Sequence, residues 1–166
     1  TGLCTLQCVR LHHPHCILVC DKDVERLAFV RRHYPEVIAV LPEKLPAAVQ
    51  QYSVHGGADV VLEVAGSPET FRMAWKSARP NGIVTVVALY DGPQLLPPEM
   101  YGKNLTFKTG GVDGCHCRET LSLIAEGKLD TTPLITHQFP LAEIEQAYTL
   151  FEARRDGVIK VAIQCS

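Results

Sequence analysis

The sequence predicts an α/β protein: a doubly wound parallel sheet that lacks its first strand, followed by a short strand–helix–strand segment at the C-terminus. Three observations carry this. The apolar runs ADVVLEV (58–64) and IVTVVAL (83–89) show no polar alternation, the pattern of parallel strands covered on both faces. Amphipathic helical stretches separate the strands through three successive units, which implies an open sheet with right-handed crossovers. The chain also enters this alternation part-way, on a helix with no strand before it.

Leu3, Leu6 and Val9, with Cys4, Cys8 and Leu11, have helical spacing over about residues 2–12, on more than one side of the helix. Pro14 cannot continue that helix and should bias His13 towards extended geometry. A strand over Cys16–Cys20 follows. Asp23 can cap the next helix, with Val24, Leu27 and Ala28 on its apolar side and Pro35 marking its end. Val37–Leu41 is a short strand, and a short helix is expected over Ala47–Tyr52 after a loop. Ala58–Val64 is then the central strand. Ser67, Pro68 and Glu69 make a helix start from a hydroxyl cap, a first-turn proline and a negative charge near the dipole's positive end.

Phe71, Ala74, Trp75 and Ala78 form that helix's buried stripe, and Pro80, Asn81 and Gly82 turn the chain into the strand Ile83–Leu89. Residues 92–98 are irregular. Asn104–Thr109 is a further strand closed by Gly110 and Gly111, and Gly127 can stop the helix that Leu121 and Ile124 begin. In the last section, 134–163, Leu141, Ile144, Tyr148 and Phe151 make one helical stripe, Gly157 ends it, and Val158–Ile163 is extended.

With 166 residues, 46% hydrophobic and 20% charged, the composition is that of an ordinary globular protein with a real core. A net charge of −2 gives no basic footprint, which argues against nucleic acid as the main partner and for a small molecule. No apolar run reaches the roughly 18 to 20 residues needed to span a membrane, and no charged n-region with an apolar core opens the chain, so a cytoplasmic protein is expected. The seven cysteines are an odd number, and Cys4, Cys8, Cys16 and Cys20 sit in apolar runs. That suits reduced thiols better than a disulfide framework.

Two clusters could suggest a metal. Cys115, His116 and Cys117 are adjacent and lack the two-residue spacing of a structural zinc site, and His12, His13 and His15 flank a turn proline, so neither is expected to bind one. His137 is expected to be a turn or core histidine. No metal-binding or catalytic residue is assigned to this chain.

The functional signal lies in ILVCDKDVER (17–26). An apolar strand ending in an acid, Asp21, with Gly2 at a helix start nineteen residues upstream, is the second half of a dinucleotide-binding unit. The phrases TGLCTLQ, ILVCDKDVERL, GADVVLEVAG, NGIVTVVALYDGP, KNLTFKTGG and LITHQFPLAEIEQAYTLFEARRDGVIKVAI, in this order, resemble the zinc-containing medium-chain alcohol and polyol dehydrogenases across nearly the whole chain. The resemblance implies a Rossmann-type NAD-binding domain over residues 1–133, and a segment over 134–166 that returns towards a catalytic domain. Gly2 falls where the family has the third glycine of its phosphate-binding turn, so Gly2 and Leu3 would offer the helix N-terminus to the pyrophosphate.

Asp21 matches the ribose-binding acid, which favours NAD over NADP, and Arg26 matches a basic position near the adenosine ribose. Val64, Ala65 and Gly66, and Val87, Ala88 and Leu89, fall where the family lays its cofactor over strand ends. Thr109 and Arg154 match regions that approach the nicotinamide and the pyrophosphate. Glu63, beside the first set, is read as a turn acceptor and not as a base. The family's zinc polarises an alcohol for hydride loss to NAD, and its ligands lie upstream of the glycine turn, outside this chain. The part covered here is expected to be inactive alone and to associate as a homo-oligomer through the edge around Leu95, Leu96 and Asn104–Thr109. Two alternatives are a non-enzymatic nucleotide-binding or interaction module and a zinc-free quinone-reductase-like relative, against which the Asp21 carboxylate argues.

Overall fold

The computed structural model describes residues 1–110, 114 and 116–165. The chain folds as two compact units, Thr1–Gly2 with His15–Gly114, and Leu3–Pro14 with Cys115–Ser166. Helix α1 (Gly2–Arg10) opens the chain. In the first unit, β1 (Leu18–Cys20) pairs in parallel with β2 (Ile38–Val40), and β3 (Ala58–Glu63), β4 (Ala78–Val86) and β5 (Thr106–Thr109) form a second parallel sheet in that order. Helices α2 (Val24–His33), α3 (Leu45–Tyr52) and α4 (Pro68–Ser77) alternate with the strands as a doubly wound α/β protein requires. Among the described residues no strand joins the two sheets, so β1 and β3 are both edges.

Local chemistry explains the ends of α2 and α4. Asp23 caps α2 by accepting from the amides of Glu25 (2.9 Å) and Arg26 (3.2 Å). Ser67 and Thr70 form a reciprocal capping box at α4, each side chain accepting from the other's amide at 3.0–3.1 Å. At the far end of α4, the Lys103 ammonium donates to the carbonyls of Trp75, Lys76 and Ala78 at 3.2, 2.6 and 2.6 Å, a cation on the negative end of the helix dipole. Phe71, Ala74 and Trp75 of α4 pack with Ala78, Val84 and Met100 as the core under the second sheet.

Several expectations are corrected. Val60 is 54% exposed, so β3 is not covered on both faces along its length, and among the described residues β4 is its one sheet neighbour. β4 begins at Ala78 and not Ile83. Ala78 pairs with Ala58, residues 79–82 bulge with Asn81 at a φ of 59°, and pairing resumes with Ile83 opposite Val60. The strand also stops at Val86, leaving residues 87–89 beyond the sheet. His13 takes a positive φ of 48° instead of an extended conformation; a left-handed residue closes a helix end, and Pro14 bars only the right-handed continuation.

The second unit contains α1 beyond Gly2, α5 (Cys117–Ala125), β6 (Ile135–Pro140), α6 (Ile144–Ala153) and β7 (Lys160–Gln164), with β6 and β7 paired in parallel. The buried Gln7 amide anchors α1 to the segment after α5: its Nε2 donates to the Asp130 carbonyl at 2.7 Å and its Oε1 accepts from the Asp130 amide at 3.0 Å. Gly127 stops α5 in the left-handed conformation expected of it. α6, in contrast, ends at Ala153 with Arg154 left-handed (φ 50°), before Gly157 is reached. Among the described residues no helix is long and apolar enough to cross a membrane.

Candidate functional site

The C-terminal ends of β1, β3 and β4, all in the first unit, place most of the residues the sequence singles out. The crevice beyond such strand ends is where open α/β sheets bind ligands. Asp21 follows β1 directly. Its amide donates to the Val40 carbonyl at 3.3 Å, and its Oδ1 accepts from the Asp23 amide at 3.0 Å, which orients the carboxylate at the strand tip. Arg26 sits on the first turn of α2, half-buried, with its amide on the Asp23 cap. Cys20, just before Asp21, is a poor nucleophile: burial, then the charges of Asp21 and Glu43, push its thiol up to about 11.

The turn after β3 holds Val64, Ala65 and Gly66, and the turn after β4 holds Val87, Ala88 and Leu89. The two touch. Gly66 has a φ of +84°, and a Cβ there would lie 2.6 Å from the Leu89 carbonyl oxygen and 3.3 Å from the Ala88 Cβ, so only glycine fits. The Val87 and Ala88 amides donate to the Glu63 carbonyl at 2.8 and 3.3 Å. Leu89 is 92% exposed and Val87 is also exposed, which leaves an apolar surface above the strand ends.

Beneath this surface lies Glu63, 4% exposed at the end of β3. Its Oε1 accepts from the Ala65 and Gly66 amides at 2.8 and 3.0 Å, and its Oε2 accepts from the Tyr90 hydroxyl. Burial alone would raise the carboxyl's pKa. The Tyr90 hydroxyl, the Gly66 and Ala65 amides and the Thr70 hydroxyl outweigh it and hold the group below the usual carboxylate range. Burial, and then the bond to Glu63 and its charge, push the Tyr90 phenol well above its ordinary value. The turn-acceptor reading of Glu63 fits these contacts; its link to Tyr90, 27 residues on, had no signal in the sequence.

Gly2 opens α1, and a Cβ on it would meet Val64 Cγ2 at an ordinary 3.5 Å, which places the helix start beside the first turn. Leu3 belongs to the second unit, and its side chain is buried. Thr109 ends the exposed strand β5, and Arg154 lies in the second unit after α6. His116 pairs with Glu119 at 3.1 Å, Cys117 is exposed on α5, and Cys115 lies outside the described residues. Among the described residues no three His, Cys, Asp or Glu side chains come together to hold a metal ion.

The model of the family described as zinc-binding dehydrogenase matches residues 1–126. An alcohol dehydrogenase of Cupriavidus necator is 27% identical, with the match covering 98% of this chain and 46% of that protein. The solved alcohol dehydrogenase TADH of Thermus sp. ATN1 superimposes with a TM-score of 0.84 at 26% identity, over 96% of this chain and 47% of that one. An E. coli CFT073 alcohol dehydrogenase, solved with its cofactor NADH, gives a TM-score of 0.83 over 96% of this chain and 48% of its own; at 18% identity it shows the fold alone. The chain thus spans about half the length of the relatives it matches. With a doubly wound fold, an acid at the tip of β1 and a family model matched over most of its length, this chain belongs to the zinc-binding dehydrogenase family.

Proposed function

We propose that this chain is the coenzyme-binding part of an NAD-linked, zinc-dependent alcohol or polyol dehydrogenase, an oxidoreductase that moves a hydride between an alcohol and NAD. The observation that carries the reading is Asp21: a carboxylate at the tip of β1, oriented by the Asp23 amide, accepts from ribose hydroxyls and repels a 2′-phosphate. Its position supports NAD over NADP. The NADH-bound E. coli structure supports a nicotinamide dinucleotide on this fold.

In this reading Gly2 presents the start of α1 to the pyrophosphate, Arg26 lies near the adenosine ribose, and Val64–Gly66 with Val87–Leu89 carry the rest of the cofactor on a close, apolar surface. The zinc that would polarise the alcohol belongs to another part of the protein, and this chain contributes binding and orientation. Residues 1–133 form the coenzyme domain, and 134–166 return towards the catalytic domain. The exposed β5 edge, with Leu95 and Leu96 exposed earlier in the chain, supports a homo-oligomer joined there.

Replacing Asp21 with Ala tests the reading. We expect NADH binding to weaken roughly tenfold and NADPH binding to strengthen, as charge-assisted bonds are lost and repulsion is relieved. Unchanged binding of both by titration would remove the role given to Asp21.

A further inference from the structure

Glu63 meets both turns of the proposed cofactor surface. Its main-chain carbonyl takes the Val87 and Ala88 amides, and its carboxylate takes the Ala65 and Gly66 amides and the Tyr90 hydroxyl. Burying a carboxylate is unfavourable unless its oxygens are filled by donors. The groups that bond it are all donors: two amides and a phenol. A carboxylate is the side chain that can accept from all of them at once, whereas Gln would turn an NH2 towards one and Leu would satisfy none. The two amides belong to the turn after β3 and the phenol follows the turn after β4, so one carboxylate joins both turns.

We propose that Glu63 is a positioning residue that holds Val64–Gly66 and Val87–Leu89 together as one rigid surface and so sets affinity for the part of the dinucleotide beyond the ribose at Asp21. The inference rests on the cofactor reading above and deepens it. Glu63 does not itself touch the ligand. It keeps the Gly66 turn against the Leu89 carbonyl, where no added Cβ fits, and keeps the apolar side chains of Val87 and Leu89 presented outward. Pre-organisation of this kind reduces the ordering a ligand must impose on binding.

The experiment compares two probes on the 166-residue chain: NADH, followed by its own fluorescence, and AMP, followed by calorimetry, which occupies only the adenosine side. Wild type, Glu63→Leu, Glu63→Gln and Tyr90→Phe are measured, with circular dichroism and thermal midpoints to establish folding. We expect NADH binding about tenfold weaker in Glu63→Leu, with AMP within about twofold of wild type, from donors left without an acceptor under one half of the site only. Glu63→Gln, which keeps one acceptor oxygen, should recover most of the loss, and Tyr90→Phe should show a smaller loss.

If Glu63→Leu does not fold, the Gln and Phe variants decide by the same contrast between probes. Unchanged NADH binding in folded variants, or equal loss of AMP and NADH, overturns the positioning role while leaving the cofactor reading intact. A wild-type chain that binds neither probe overturns the cofactor reading, and this inference with it.

Discussion

The two halves of the proposed cofactor surface are built in opposite ways. At the tip of β1, the Asp21 carboxylate is set by a neighbour two residues on, through a hydrogen bond from the Asp23 amide, beside the cap that Asp23 places on α2. At the ends of β3 and β4, the surface depends on contacts between residues more than twenty apart: Glu63 with Tyr90 and with Val87, and Gly66 against Leu89. The first half can therefore lose a side chain without losing its shape. The second is a packed junction, in which the geometry that would receive a ligand also holds two strand ends together. Recognition at Asp21 and stability at Glu63 and Gly66 should separate accordingly under mutation.

The largest effect that would break this contrast is expected from Gly66→Ala. A Cβ would stand 2.6 Å from the Leu89 oxygen, and the residue would also be forced to a φ of +84° that alanine avoids. A strained backbone and a displaced turn together should lower stability by about 2 to 4 kcal/mol, measured by urea unfolding. NADH binding should fall with it. A variant as stable as wild type would mean that the two turns can part freely, and the packed-junction picture would be lost.

A smaller effect is expected from acid. The folded-state pKa of Glu63 lies below the value the group has in the unfolded chain, because the Tyr90, Gly66, Ala65 and Thr70 donors outweigh burial. The folded state thus binds the proton less readily than the unfolded one. Its contribution is present in full above the unfolded pKa of about 4.3 and is lost as pH falls through the folded value. The exposed Asp59, paired with Arg79 at 2.5 Å, has a pKa shifted the same way, so the useful quantity is a difference between proteins. Thermal midpoints should fall from about pH 5 downwards, and less steeply in Glu63→Gln than in wild type. Parallel slopes would remove the carboxylate from the balance.

This contrast also explains what the sequence could disclose. The Asp23 and Ser67 caps, the Gly127 stop and the contact that orients the Asp21 carboxylate are legible because each depends on neighbours a few residues away. The family resemblance extends that reading along the chain. Three features were not legible: the early start of β4 at Ala78 with its bulge, the pairing of Gln7 with Asp130, and the junction of Tyr90 with Glu63. Each joins residues at least 20 positions apart whose partner only the folded chain supplies. The exposure of Val60 belongs with them, since an apolar run is the same string of letters at the edge of a sheet as at its centre. Arg154 shows a different limit: a helix can end on a left-handed non-glycine residue before the glycine that would be expected to stop it.

The smallest change sharpens the comparison most. Unlike Gly66, Gly2 has no positive φ, and a Cβ there would make only an ordinary 3.5 Å contact with Val64. Nothing in the fold requires a glycine at that position. Gly2→Ala should accordingly change stability by no more than about 0.5 kcal/mol. If the amides at the start of α1 receive a pyrophosphate, however, the added methyl group stands where the ligand must approach the backbone, and NADH binding should weaken a few-fold. A loss of affinity without a loss of stability would show a glycine kept for its ligand, beside one at Gly66 kept for the fold. No loss of either would leave Gly2 an ordinary first residue of a helix, and the phosphate role would have to be sought elsewhere.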